Sequence, residues 1–169
     1  MLNNLIMDAL FAHRRAPVAE AEQEIGFFDP EYCSAIENFE LCEVAPDIVL
    51  FNYEEAKKIN KRLIGDFSWV KGRCFQIGQS GQGDCWLIDL NGWVNWFNHD
   101  KGEISPEGLL SFGIGFYDFL KMAVLVRNVE HSLDNDPDFF DKNINRTKYI
   151  QSMNSVKEGI YDLYPYKYF

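Results

Sequence analysis

At the start of the chain Leu2, Leu5, Ile6, Ala9, Leu10 and His13 recur at three- and four-residue spacing. That stripe predicts a helix ending near Arg14 and Arg15, whose charge suits a helix C-terminus. A polar, alanine-rich piece from Val18 to Glu24 reads as a second helix closed by Gly26. Asp29-Pro30-Glu31 has the form of a further helix start, with Asp at the N-cap, Pro in the first turn and an acid beside it. Ile36 and Phe39 form its expected buried face. The short run Ile48-Val49-Leu50-Phe51 reads as a strand or an extended connector. Asn52 followed by Glu55 resembles a capping box and opens a helix through Ala56, Ile59 and Leu63 that ends at Gly65.

The period then changes from helical to alternating. Cys74–Ile77, Cys85–Leu90 and Trp93–Phe97 are short, aromatic and β-branched runs, separated by a Gly-rich loop and by Asn91-Gly92. Asn-Gly between two such runs is a strong hairpin signal. Connections this short exclude the crossovers that parallel strands need, so the segment reads as an antiparallel meander. From Phe112 the helical period returns, with Phe116, Phe119, Leu120, Ala123 and Val126 on one face and Asp118, Lys121 and Arg127 off it. Residues 134–138 break the chain. Asp136-Pro137 is the expected cap of another helix carrying Phe139, Phe140 and Ile144, and the aromatic stretch from Tyr161 to Phe169 is expected to be docked, not disordered. The reading is an α+β fold: a central antiparallel sheet flanked by helices, in one domain over residues 1–169. Its core covers about residues 20–126, with an extra C-terminal helical segment, residues 134–169, packed on it.

Charge changes what this fold can be expected to bind. The 169 residues carry 16 Lys and Arg against 26 Asp and Glu, a formal net charge of -10. Phosphate backbones are bound by clustered Lys and Arg that release counterions, so nucleic acid is an unsuitable partner. The acidity is concentrated: from Ala16 to Ala56 there is no Lys or Arg, yet 11 acids occur. Such a field steers a cationic protein, although a solvated face that keeps the chain soluble has the same composition.

The other chemistry is sparse. No signal-peptide pattern opens the chain, so cytoplasmic location and reduced thiols are expected for Cys33, Cys42, Cys74 and Cys85. Without a Cys-x-x-Cys pair and with three scattered His, no metal or cofactor site is expected. The apolar run Met122–Val126 is far short of the ~20 residues that span a bilayer, so no membrane association is expected. The loop Gly78-Gln79-Ser80-Gly81-Gln82-Gly83 lacks the Lys-Ser/Thr ending of a phosphate loop and the last Gly of a nucleophile elbow, so it reads as a turn. His99-Asp100 reads as a turn cap, and Cys74 and Cys85 as small buried residues. An enzyme built on Cys85 or His99 is the catalytic rival reading. Trp86, Trp93 and Trp96 lie on adjacent runs, with Trp93 and Trp96 of opposite parity, so one faces the core and the other a covered or binding face.

In order and spacing, several of these segments resemble the SUKH superfamily of Smi/Knr-like proteins. The matching pieces are Glu24-Ile25-Gly26, Pro30-Glu31-Tyr32, Glu54-Glu55-Ala56 with Asn60, Phe75-Gln76-Ile77-Gly78, Gly81-x-Gly83-Asp84, Leu87-Ile88-Asp89, Val94, His99-Asp100 and Phe116-Tyr117-Asp118-Phe119-Leu120. The resemblance covers roughly residues 20–125 and departs from the family at Phe28-Asp29, near residue 40 and in the long C-terminal segment. It implies an α+β domain without shared catalytic residues. Bacterial members are similar to immunity proteins that neutralise polymorphic toxins, often nucleases with basic surfaces, as in contact-dependent inhibition.

The expected function is therefore non-catalytic: binding of a cognate basic toxin by an acidic and aromatic surface. The alternative is a scaffold in cell-envelope or signalling regulation. The expected partner-binding residues are Glu24, Glu31, Glu37, Glu40 and Glu43, with Tyr32 or Tyr53 as the aromatic anchor.

Overall fold

Six strands run β1 (Glu43–Ala45), β2 (Ile48–Leu50), β3 (Cys74–Gln79), β4 (Cys85–Asp89), β5 (Val94–Phe97) and β6 (Leu110–Ser111), each antiparallel to its neighbour in chain order. The computed structural model describes Met7, Leu10, Phe11 and residues 29–169. The rest of the first helical stripe, the Val18–Glu24 piece and Glu24 itself lie outside the described residues.

The meander follows from its turns. Asn91-Gly92 closes the β4–β5 hairpin, with Gly92 at φ +74°, a conformation costly for residues with a Cβ. Between β3 and β4 the loop folds on Ser80, whose Oγ accepts from the Gln82 and Asp84 amides at 3.2 and 3.1 Å. The β3 ladder shifts register between Gln76 and Gly78, and a Cβ on Gly78 would run into the Val49 carbonyl oxygen. Glycine lets β2 approach this closely.

Helices α1 (Pro30–Asn38), α2 (Tyr53–Asp66), α3 (Phe116–Asn135), α4 (Asn143–Val156) and α5 (Ile160–Leu163) complete the α+β fold. Strand parity sorts the two faces of the sheet. Phe75, Ile77, Trp86, Ile88, Val94 and Trp96 join the main core with Ile36 of α1 and Phe119, Ala123 and Val126 of α3. Trp86, fully buried, packs 4.9 Å from Phe119 and 5.5 Å from Phe112 between ring centroids. On the opposite face Cys74, Leu87 and Phe97 form a smaller cluster with Val70 and Ile104, which Leu63 and Ile64 of α2 close. The buried Asn60 of α2 ties the helix to β3 by accepting from the Gln76 amide and donating to its carbonyl, both at 2.8 Å.

Four elements differ from expectation. The edge strands β1 and β6, three and two residues long, are too short to carry an alternating signature. The helix expected from Phe112 begins at Phe116, because Phe112 and Ile114 first extend the ladder along β5 with bonds of 2.9 and 2.8 Å to Val94. Asp136-Pro137 opens no helix: Asp136 ends α3, its amide donating to the Ser132 carbonyl, Phe139–Asp141 form a single 3-10 turn, α4 starts at Asn143, and Asp136 pairs with Lys142 at 3.0 Å.

The C-terminal segment belongs to the main core through Tyr149, Met153, Ile160, Tyr161 and Tyr164. After α5 the chain runs on as an extended strap, residues 164–169, in which Tyr164, Tyr166 and Tyr168 turn inward at every second position. Among the described residues no helix is long and apolar enough to cross a membrane.

Candidate functional site

Of the five acidic residues singled out in the sequence, Glu31, Glu37, Glu40 and Glu43 fall among the described residues, from α1 to the head of β1. Glu31 is exposed in the first turn of α1, Glu37 is half-buried near its end, Glu40 is exposed in the connector, and Glu43 is exposed at the head of edge strand β1. The Glu31 carboxylate also accepts from the Tyr117 amide of α3 at 3.3 Å. With Pro30, Ser34, Ala35, Phe39 and Leu120, it lines a groove of about 250 Å³ between α1 and α3.

The two tyrosines offered as anchors are not on this surface. Tyr32 is fully buried, its ring centroid 5.1 Å from Phe116 and 5.9 Å from Phe75. Tyr53 is 4% exposed and belongs to the main core at the start of α2. Tyr32 stands three residues after the Asp29 cap and Tyr53 directly after the Asn52 cap, each on the buried side of its helix's first turn. Neither can meet a partner without unfolding its helix start.

Among the described residues the exposed large aromatics are Trp93 and, at the C-terminal end, Phe169 at 40%. Trp93 is 43% accessible at the β4–β5 turn, beside Leu90 at 53%, whereas Trp96 is 9% accessible and Trp86 is fully enclosed. The parity argument had assigned Trp93 and Trp96 to opposite faces without saying which was open. The turn is clasped by Asp89, whose Oδ1 accepts from the Asn91 and Trp93 amides at 2.8 and 3.1 Å. Asn95 Nδ2 bridges Asp89 Oδ2 at 3.2 Å and the Trp93 carbonyl at 2.7 Å. Such a bonded turn fixes the backbone from which Leu90 and Trp93 project, which lowers the ordering cost of contact.

This turn lies against the starts of two helices. A Cβ on Gly115 would stand 4.0 Å from the Gly92 carbonyl and 3.8 Å from Asp29 Oδ2. Asp29, 6% exposed, caps both helices: Oδ1 accepts from the Glu31 and Tyr32 amides at 2.9 Å each, and Oδ2 from the Phe116 amide at 3.2 Å. Placing a carboxylate where two helix N-termini converge is favourable on both dipoles. The cap on α1 was legible in Asp29-Pro30; the second required the fold.

A different cluster occupies the opposite end of the sheet. Asp84, 3% exposed, takes the His99 ring nitrogen Nδ1 at 2.7 Å and the His99 amide at 3.0 Å on Oδ1, and the Tyr166 hydroxyl at 2.5 Å on Oδ2. Trp96 Nε1 donates to the Tyr166 hydroxyl at 3.0 Å, and His99 Nε2 lies 3.2 Å from Asp100. Burial lifts the Asp84 carboxyl, but the hydrogen bonds from Tyr166 and His99 outweigh it and hold the group below the ordinary carboxylate value. The hydrogen bond to Asp84 raises His99. Asp84, fifteen residues away, therefore orients this histidine, a partner that the sequence neighbour Asp100 concealed.

Nucleophile chemistry finds little support beside it. Burial, with Asp84 nearby, pushes the Cys85 thiol up to about 11, and burial brings Cys74 to the same value, so both stay protonated near neutral pH. The Ser80 hydroxyl is buried in its turn. None of the four cysteines is in a disulfide, and no group of three or more His, Cys, Asp or Glu among the described residues is placed to hold a metal ion.

No protein family model matches the chain, and neither a curated protein nor a solved structure does.

Proposed function

We propose that the protein is a non-catalytic, SUKH-like immunity protein acting in the cytoplasm, which binds and neutralises a cognate toxin with a basic surface. The observation that supports this reading is that an exposed acid and a turn with an exposed aromatic converge on one buried carboxylate, Asp29, at the α1–α3 junction. Glu31 there donates its amide to Asp29, which Gly92 of the Leu90–Trp93 turn faces, on a stretch whose 11 acids from Ala16 to Ala56 meet no Lys or Arg in sequence. Interfaces draw most of their energy from a few aromatic anchors, while surrounding charges set the association rate. In this reading Trp93 and Leu90 are the anchors in place of Tyr32 and Tyr53, and Glu31, Glu37, Glu40 and Glu43 steer the partner. Glu24 belongs to the same acidic stretch.

Co-expression with the toxin domains encoded beside its gene tests the proposal. Rescue of growth and a complex that survives gel filtration are expected with one of them. Failure of every neighbouring domain to be rescued or bound would overturn the reading, and a gene neighbourhood without toxins would favour the regulatory scaffold.

A further inference from the structure

Directly after the acidic stretch the charge pattern of the chain inverts. Within residues 57–73 stand six of its 16 Lys and Arg, namely Lys57, Lys58, Lys61, Arg62, Lys71 and Arg73, against one acid, Asp66. That segment carries +5 against a whole-chain total of -10, so the rest of the chain carries -15. All six cations are exposed. On α2 the residues Tyr53, Ala56 and Asn60 are turned inward, and the four-residue spacings 57/61 and 58/62 gather the cations of the helix on its outward side. Lys71 and Arg73 continue this face. They stand between the 3-10 turn Ser68–Val70, which packs against α2, and β3, whose Gln76 is bonded to Asn60.

Like charges four residues apart on a helix repel one another. Lys57 lies over the Tyr53 ring at 5.9 Å, and among the described residues the other five cations are in no ion pair. Lys121 and Lys142, by contrast, each hold an aspartate, at 2.8 and 3.0 Å. The basic face is therefore complementary to an acidic surface, and each molecule carries one elsewhere. Glu31, Glu40 and Glu43 are exposed and Glu37 is half-buried along α1 and the head of β1. Helix α1 packs on the main core through Ile36, whereas the second half of α2 closes the smaller cluster through Leu63 and Ile64. The two charged surfaces thus belong to elements on different sides of the sheet.

We infer that the basic face of α2 docks the acidic α1–β1 surface of a second copy of this chain, head to tail. Such a contact is heterologous: each copy that joins leaves one face of either sign open, so the species grow beyond a dimer or close into a ring. Exposed ion pairs each contribute little, so the association is weak and belongs to low salt and high protein concentration. Two molecules of -10 repel as wholes, but salt damps that distant repulsion more than the attraction of charges in contact.

Sedimentation equilibrium of the chain alone tests the contact. It needs no toxin, so its outcome is independent of the immunity reading. At ~50 mM salt the weight-average mass should rise with concentration from the monomer's 19.6 kDa by about twofold or more, and it should return to 19.6 kDa at ~500 mM salt, where the screening length is about 4 Å. The triple variant Lys58→Glu, Lys61→Glu, Arg62→Glu should remain at 19.6 kDa, and so should Glu37→Lys, Glu40→Lys, Glu43→Lys. An equimolar mixture of the two should regain the heavier species, because one then offers only acidic faces and the other only basic ones. A wild type that stays at 19.6 kDa throughout overturns the inference, even if polyglutamate or anionic vesicles retain it, since the basic face then has another occupant. Association that ignores salt, that survives either reversal, or that fails to return in the mixture overturns it as well. Lys61→Glu and Glu40→Lys, single changes at exposed positions, carry the same test at smaller amplitude if a triple variant does not fold.

Discussion

The two ends of the sheet solve the same problem with different partners. At the hairpin end, Asp29 and Asp89 are buried or half-buried carboxylates satisfied mainly by backbone amides and the Asn95 side chain. At the strap end, Asp84 and Glu130 are satisfied mainly by side chains, those of His99, Tyr166 and Tyr168, with the His99 amide also on Asp84. Backbone amides cannot lose their protons at ordinary pH and cannot swing away. The first end is thereby held by donors fixed in the backbone, and the second by side chains that can move. The rigid end carries the exposed Trp93, which suits recognition; the adjustable end carries the strap.

The sharpest way to break this contrast is to remove the carboxylate that joins two helices. Asp29→Ala withdraws three amide bonds from the starts of α1 and α3 and leaves buried donors unsatisfied. A loss of about 3 kcal/mol is expected, more than a single cap supplies. Urea denaturation should show a lowered midpoint with an unchanged slope. A loss no greater than that of an ordinary surface substitution would show that Asp29 does not couple the two helices.

Tyr166→Phe tests the other end at a smaller scale. It leaves Trp96 Nε1 without its acceptor and Asp84 Oδ2 without its donor, and should cost about 1–2 kcal/mol in the same measurement. The pH dependence of stability should separate the ends further. Asp84 is lowered, so its contribution is present above 3.8 and is lost as pH falls through its lowered value; His99 is raised, so its contribution is complete below 6.5 and is lost as pH rises through its raised value. The pair thus stabilises the fold most between those limits. In Asp84→Asn both flanks of that profile should flatten, whereas Asp89→Asn, at the hairpin end, should leave the alkaline flank in place.

The same division explains what the sequence revealed. Local chemistry was legible wherever a residue acts on its neighbours: the Asp29 cap on α1, the Asn52 cap whose Oδ1 accepts from the Glu55 amide at 3.0 Å, and the Asn91-Gly92 turn. Chemistry that joins distant segments was not. Asp84 to His99, Tyr166 to Asp84, and Asp29 to Phe116 span 15, 82 and 87 residues. No spacing rule reaches that far. Tyr32 and Tyr53 were misjudged for a related reason: amphipathic helix starts identify apolar positions, but the direction of the core depends on what packs above them.

The smallest expected change in stability belongs to Trp93→Ala, and it bears most directly on recognition. The side chain is 43% accessible on a turn whose bonds run through Asp89 and Asn95, not through the indole. Truncation should alter stability by no more than about 0.5 kcal/mol. If the hairpin end is the anchor of a toxin complex, the same change should weaken binding at least tenfold, about 1.4 kcal/mol or more, chiefly through faster dissociation. Reversing Glu37, Glu40 and Glu43 to Lys should act differently, slowing association and reducing its dependence on salt while the far-ultraviolet circular dichroism stays unchanged. Anchor and steering group are thus distinguishable by rate constants on one partner. Equal effects of both variants on association and none on dissociation would remove Trp93 from the interface and leave charge alone to carry it.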